Sequence, residues 1–240
     1  MKNLITTLGI VALGTLGANA ATITSAGTLT DLTSAGFASG TEVADLDATG
    51  AAADGFVIFN SVPEGTNVAN RPWDEALVNN SPAYISTMDG SGSASSGGWA
   101  NYDDVMVGGT QYNTGGLVLS PGNGVEAPLL TFELGASVPP AITLGVITNH
   151  SDSPNWSTTN IRIEGPGGIT DNQSVNINGG TDLVQFDING GVAGETYTVY
   201  ATSPGSGALI GGLTFSSVPE PSSLGLLFVG AGFILRRRVR

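Results

Sequence analysis

The sequence predicts an all-β protein, an antiparallel β-sandwich or jelly-roll-like body. Three observations carry that expectation: short β-branched and aromatic runs recur, Gly, Pro, Asn and Asp separate them, and no segment between residues 21 and 217 sustains a capped 3.6-residue apolar period. The clear runs are 56–59, 117–119, 129–134, 141–148, 160–163, 174–177, 183–188, 196–201 and 208–215. Several alternate, so that Ile161 and Ile163, Val175 and Ile177, Val184, Phe186 and Ile188, and Tyr197 and Val199 each point to one face. Glycine-rich turns such as Asn178-Gly179-Gly180 and Asn189-Gly190-Gly191 punctuate them, and this spacing suits packed antiparallel sheets. The Ser/Gly-rich stretch 91–98 reads as a long loop between a less regular first half and a regular second half of one domain. The Thr-Ser-Ala-Gly at 24–27 and 33–36 is too short to be a structural repeat.

The first 20 residues have a different character. Lys2 supplies a positive charge, residues 4–17 are largely apolar, and Ala18-Asn19-Ala20 offers a small-x-small cleavage site before Ala21. That is the layout of a secretory signal peptide handled by the general secretion machinery; its helix is expected in the precursor only.

The last 23 residues differ again. Val218, Pro219, Glu220 and Pro221 precede a short apolar stretch, 224–235, and Arg236, Arg237, Arg238 and Arg240 follow it. These twelve residues, apolar apart from three glycines, fall short of the roughly 20 that span a bilayer comfortably, and the prolines and carboxylate upstream cannot extend the helix in hydrocarbon. By the positive-inside rule the arginines stay on the cytoplasmic side while the body crosses. This order of elements resembles a PEP-CTERM sorting signal. The resemblance implies an exported protein of a Gram-negative bacterium. An exosortase, a membrane-embedded cysteine transpeptidase, would process it after transient anchoring in the membrane. Delivery to the cell surface or the extracellular polysaccharide matrix would follow. The expected organisation is thus a signal peptide, 1–20, a β-sandwich ectodomain, 21–217, and a sorting tail with a short hydrophobic transmembrane helix, 218–240.

Setting the ends apart sharpens the charge balance. The body carries 19 carboxylates against Arg71 and Arg162, a net charge near −17 with no lysine. Such a surface repels a phosphate backbone, which argues against nucleic-acid binding and favours divalent cations or cationic and neutral partners. No cysteine is present, so the body needs no disulfides and has no thiolate chemistry; about 200 residues suffice for a core without them.

Candidate chemistry in the body is sparse. His150 lies in Asn149-His150-Ser151-Asp152, but consecutive residues at a strand end splay apart, and no G-x-S-x-G elbow occurs. A solvated loop histidine is the plainer reading. The doublets Asp74-Glu75 and Asp103-Asp104 do not by themselves make the facing carboxylates of a glycoside hydrolase, so a secreted hydrolase ranks behind other readings. Asp45-Leu46-Asp47-Ala48-Thr49-Gly50, with Asp54 beyond, begins like a calcium loop but puts Phe56 where a bidentate glutamate belongs. A structural Ca²⁺ there, or at Asn101, Asp103 and Asp104, stands against an acidic surface turn. Trp73, Trp99 and Trp156 all fall in polar turns, where an indole either stacks on a sugar ring or closes the end of a core. The four Asn-x-Ser sequons, at Asn79, Asn149, Asn155 and Asn172, are chance in a chain rich in Asn and Ser. The leading expectation is a non-enzymatic surface or matrix protein without a catalytic cofactor, and a carbohydrate-binding module is the alternative.

Overall fold

The alternation in 183–188 organises one of two six-stranded sheets. In β14 (Asp182–Asn189) it turns Val184, Phe186 and Ile188 to one face. Antiparallel pairing with β10 (Ala141–Thr148) sets these opposite Val146, Leu144 and Ile142. On the other side of β10 lies β17 (Gly212–Ser217), which puts Phe215 opposite Leu144 and Leu213 opposite Val146. Strand β3 (Gly55–Ile58) pairs with β17, and β4 (Val78–Asn80) and β1 (Thr22–Leu29) form the edges, in the order β1-β14-β10-β17-β3-β4. The computed structural model describes residues 21–30, 32, 43–59, 78–90, 104–112, 117–119, 125–148, 159–175, 180–202 and 208–217.

A second antiparallel sheet faces the first. It contains β5 (Ile85–Gly90), β9 (Ala127–Leu134), β15 (Thr196–Thr202) and β11 (Thr159–Gly165), with β12 (Gly168–Ile169) and β13 (Gln173–Val175) sharing the outer edge of β11. Between β12 and β13 the ladder is carried by Thr170, whose hydroxyl accepts the Ile163 N–H at 3.0 Å while its own N–H donates to the Ile163 carbonyl at 3.0 Å. The inner face presents Ile161, Ile163, Tyr197, Val199, Leu130, Phe132, Leu134 and Met88, all buried. Phe132 stacks on Tyr197 at 5.4 Å and meets Phe215 of the facing sheet edge-on at 6.4 Å, so one ring joins the two layers.

The outer face of the first sheet is also covered. Strands β2 (Val43–Asp45), β6 (Asp104–Val107) and β7 (Thr110–Tyr112) form a small sheet in which β2 and β6 run parallel, a departure from the all-antiparallel expectation. Its Ala44, Leu46, Val105 and Val107 form a second buried cluster with Phe56, Ile58, Ile147 and Leu183. Two-sided burial explains why 56–59 is continuously apolar: Val57 and Phe59 belong to the main core and Phe56 and Ile58 to the second. The run 208–215 is two strands. Residues Ala208–Ile210 (β16) pair with β8 (Leu117–Leu119), and at Gly211 the chain passes into β17. Gly211 donates to the Ile147 carbonyl and accepts from Phe59 N–H, so no backbone group is lost at the crossing.

The topology gives the sandwich two unlike ends. At one, Thr22 pairs with Asn189, Asn189 with Ala141, and Ile142 with Ser217, so both ends of the body lie together. They are three strands apart, about 14 Å at ~4.8 Å per strand. The connections at this terminus pole are short: 81–84, 135–140, 166–167 and 190–195. They are tied to one another, with Gly190 N–H donating to the Pro140 carbonyl, Gly194 N–H to Leu134 and Gly135 N–H to Tyr84. Ser137, at φ 60°, is the non-glycine with positive φ among the described residues, and it sits in one of these links. At the opposite loop pole the strands are joined through 59–77, 149–158, 176–181 and 203–207.

The fully buried Phe186 touches the centre of this arrangement. Phe186→Ala is expected to destabilise residues 21–217 by about 3–5 kcal/mol, whereas Thr24→Ala on the exposed edge strand is expected to stay within about 0.5 kcal/mol. Denaturant melts of the two variants check this.

Candidate functional site

Strand position decides what the sequence-predicted residues can do. Trp73, Trp99, Trp156, His150, Asp74, Glu75, Asn101 and Asp103 lie outside the described residues, as do the signal segment with Ala18 and Ala20 and the tail from Val218 onward. The strand ends flanking them are described. Trp73 falls between Ile58 of β3 and Val78 of β4, and Trp156 between Thr148 of β10 and Thr159 of β11. All four of those strand ends are at the loop pole. Trp99 falls between Gly90 of β5 and Asp104 of β6, and Gly90 pairs with Leu130, toward the same pole. The tail instead follows Ser217 without an intervening linker, at the terminus pole.

The acidic stretch 45–54 resolves into local structure. Asp47–Thr49 is a 3₁₀ turn ending at Gly50 with φ 70°, the left-handed conformation that glycine adopts without strain. Asp45 Oδ1 accepts the Ala48 N–H at 3.1 Å. Asp47 reaches across to the β6–β7 turn, where its two oxygens accept the N–H groups of Gly108 and Gly109 at 2.7 and 2.8 Å. Asp54 Oδ2 accepts the Tyr84 hydroxyl at 2.8 Å. The three carboxylates therefore diverge to separate donors, with which a Ca²⁺ ion would compete. Among the described residues no group of three or more His, Cys, Asp or Glu is placed to hold a metal. Burial, reinforced by the Asp54 bond, holds the Tyr84 phenol well above the usual tyrosine range; Tyr197, buried and donating to Glu195 at 2.8 Å, is raised likewise.

A charged cluster that sequence reasoning passed over sits on the outer face of the second sheet. Arg162 forks onto Glu126, with Nε and one terminal nitrogen each 2.6 Å from a carboxylate oxygen, and its other nitrogen reaches Glu164 at 3.1 Å. The guanidinium carbon lies 4.0 Å from the Tyr200 ring centroid. Around it the sheet is hydroxyl- and amide-lined: Thr131 bonds Thr198 at 3.3 Å, and Ser174 bonds Asn160. The signal was in the sequence, in the out-facing register of the same runs: Asn160, Arg162 and Glu164 alternate with Ile161 and Ile163. The hydrogen bonds from Arg162 hold the Glu126 carboxyl below the usual range, against a smaller opposing effect of burial.

Because that folded-state pKa is depressed, the pair contributes stability above the ordinary carboxylate range and loses it as pH falls through the depressed value. Arg162→Met is expected to return Glu126 toward an ordinary titration, read by NMR, and to flatten the acid limb of the stability profile. The change in stability itself is expected to be small, as for exposed pairs.

Among the described residues no helix is long and apolar enough to cross a membrane. Residues 217–238 match the family described as PEP-CTERM protein-sorting motif, which begins at the last residue of β17. The match marks the chain as an exported protein targeted to an exosortase-type enzyme. No curated protein and no solved structure matches the chain.

Proposed function

We propose that this exported exosortase substrate is a non-enzymatic protein of the cell surface or extracellular polysaccharide matrix, an acidic β-sandwich delivered through its tail. The observation that carries the reading is the direct junction between the sorting motif at 217–238 and the central strand β17. Whatever processing leaves at or joins to that junction is held by a strand with hydrogen-bonded neighbours on both sides. The precursor is anchored transiently by the apolar stretch 224–235, with Arg236, Arg237, Arg238 and Arg240 on the cytoplasmic side. After processing, a body with 19 carboxylates and two arginines stays soluble and interacts weakly with polysaccharide or divalent cations.

A second reading, a carbohydrate-binding module, is favoured by the polarity of the fold. The strand ends flanking Trp73 and Trp156 lie at the pole opposite the tail, where a ligand site would be clear of the attachment point.

Glu220→Ala is expected to leave full-length precursor in the membrane fraction; normal release of that variant would count against processing at Val218, Pro219, Glu220 and Pro221. A glycan array probed with residues 21–217, with and without Ca²⁺, separates the two readings. Strong binding lost in Trp73→Ala, Trp99→Ala or Trp156→Ala selects the binding module, and no binding leaves the matrix protein.

A further inference from the structure

We propose that the terminus pole of the sandwich is the face turned toward the membrane surface in the precursor, and that the loop pole points away from it. The inference rests on the membrane-anchored precursor of the preceding section and adds which way round the body sits.

The strand register fixes the geometry. Thr22 and Ser217, the first residue of β1 and the last of β17, lie in neighbouring rows of one sheet at one end. The two apolar segments of the precursor, 4–17 and 224–235, therefore both leave from the same pole. Six residues, 218–223, separate Ser217 from the apolar tail, so the pole lies at most about 20 Å from the bilayer even with that segment fully extended. Strand β9 runs the length of the sandwich in eight residues, putting the loop pole about 25 Å farther out.

Charge decides between tethering and adsorption. Glu195 is the charged residue of the short connections at this pole, Asp54 leads into β3 beside them, and no lysine or arginine joins the two. An anionic headgroup surface does not attract such a face. Glu195 is turned inward, accepting the Val192 N–H at 2.9 Å and the Tyr197 hydroxyl. The pole is held near the membrane by where the chain ends emerge, with Val192 as its exposed apolar side chain in 190–195, and the attachment is insensitive to salt.

The chain has no cysteine, which makes the orientation measurable. Val192 at the terminus pole and Val125 at the loop pole are similarly exposed, at 53% and 57%, so a single cysteine at either leaves the core intact. Full-length chains carrying Val192→Cys or Val125→Cys, each labelled with a fluorophore, are reconstituted into phosphatidylcholine vesicles containing headgroup spin-labelled lipid. The expected result is several-fold stronger quenching at position 192 than at 125, unchanged in high salt. A 12-residue Gly-Ser insertion after Ser217 in the signal-cleaved chain is expected to shrink the contrast. Equal quenching of the two vesicle-bound proteins, or stronger quenching at 125, would overturn the orientation alone. Failure of the chain to remain with the vesicles would overturn the anchoring, and the orientation with it.

Discussion

The pairing of β10 with β14 and β17 is the constraint on which the remaining structure depends. Three strands held in this register put Ile142, Leu144 and Val146 in line with Val184, Phe186 and Ile188 on one side and Leu213 and Phe215 on the other. A shift by one residue would exchange that apolar face for Thr143, Gly145, Gln185 and Asp187, so the register is enforced by burial. The opposite face is specified too, because Ile147 and Leu183 belong to the second cluster under β2 and β6. Gly145 stands in that outer face where an added side chain would meet Leu183 and Thr214. A sheet buried on both faces at one end and polar at the other fixes where each flanking layer is seated.

The legible parts of the fold were the strands rich in apolar and β-branched residues. The runs 117–119 and 141–148 are strands β8 and β10, and 183–188 and 196–201 need only one or two residues more at their ends. Strands β1, β2, β4, β5, β6, β7 and β12 were missed because they are short or largely polar: Thr-Ile-Thr-Ser-Ala-Gly-Thr-Leu is an edge strand with Ile23 packed against the core and a bulge between Ser25 and Gly27. Strands β1, β2 and β5 are stabilised by neighbours far along the chain, which no local window contains. The break at Gly211 was hidden for the converse reason, since both halves of 208–215 are apolar and a change of sheet leaves no mark on composition.

The sorting signal was legible at the C-terminal end of the chain. The apolar stretch and arginine cluster of the tail stand in an order that membrane insertion and charge sidedness constrain, and the prolines and carboxylate before them complete a local motif that a sequence alone shows. In the body, the carboxylates Asp45, Asp47 and Asp54, singled out for their type, have structural employment. Asp45 accepts the Ala48 N–H within a 3₁₀ turn and Asp47 clamps the Gly108–Gly109 turn, so the oxygens that resemble an ion loop are engaged in local turns. Arg162 was counted as one of two cations of the body, yet its importance lies in Glu126 and Tyr200, which are 36 and 38 positions away and come together only in the sheet.

Strand β17 has a further consequence, in time. It is the last strand of the body, yet it lies between β10 and β3 and supplies Leu213 and Phe215 to the main core. A chain exported from its N-terminal end presents β3 and β10 long before β17, which pairs with both. Until residues 212–217 have crossed, the central sheet is split and the core is open. Such long-range closure is intrinsically slow. The strand that closes the central sheet is thus the one that runs directly into the sorting motif at 217–238.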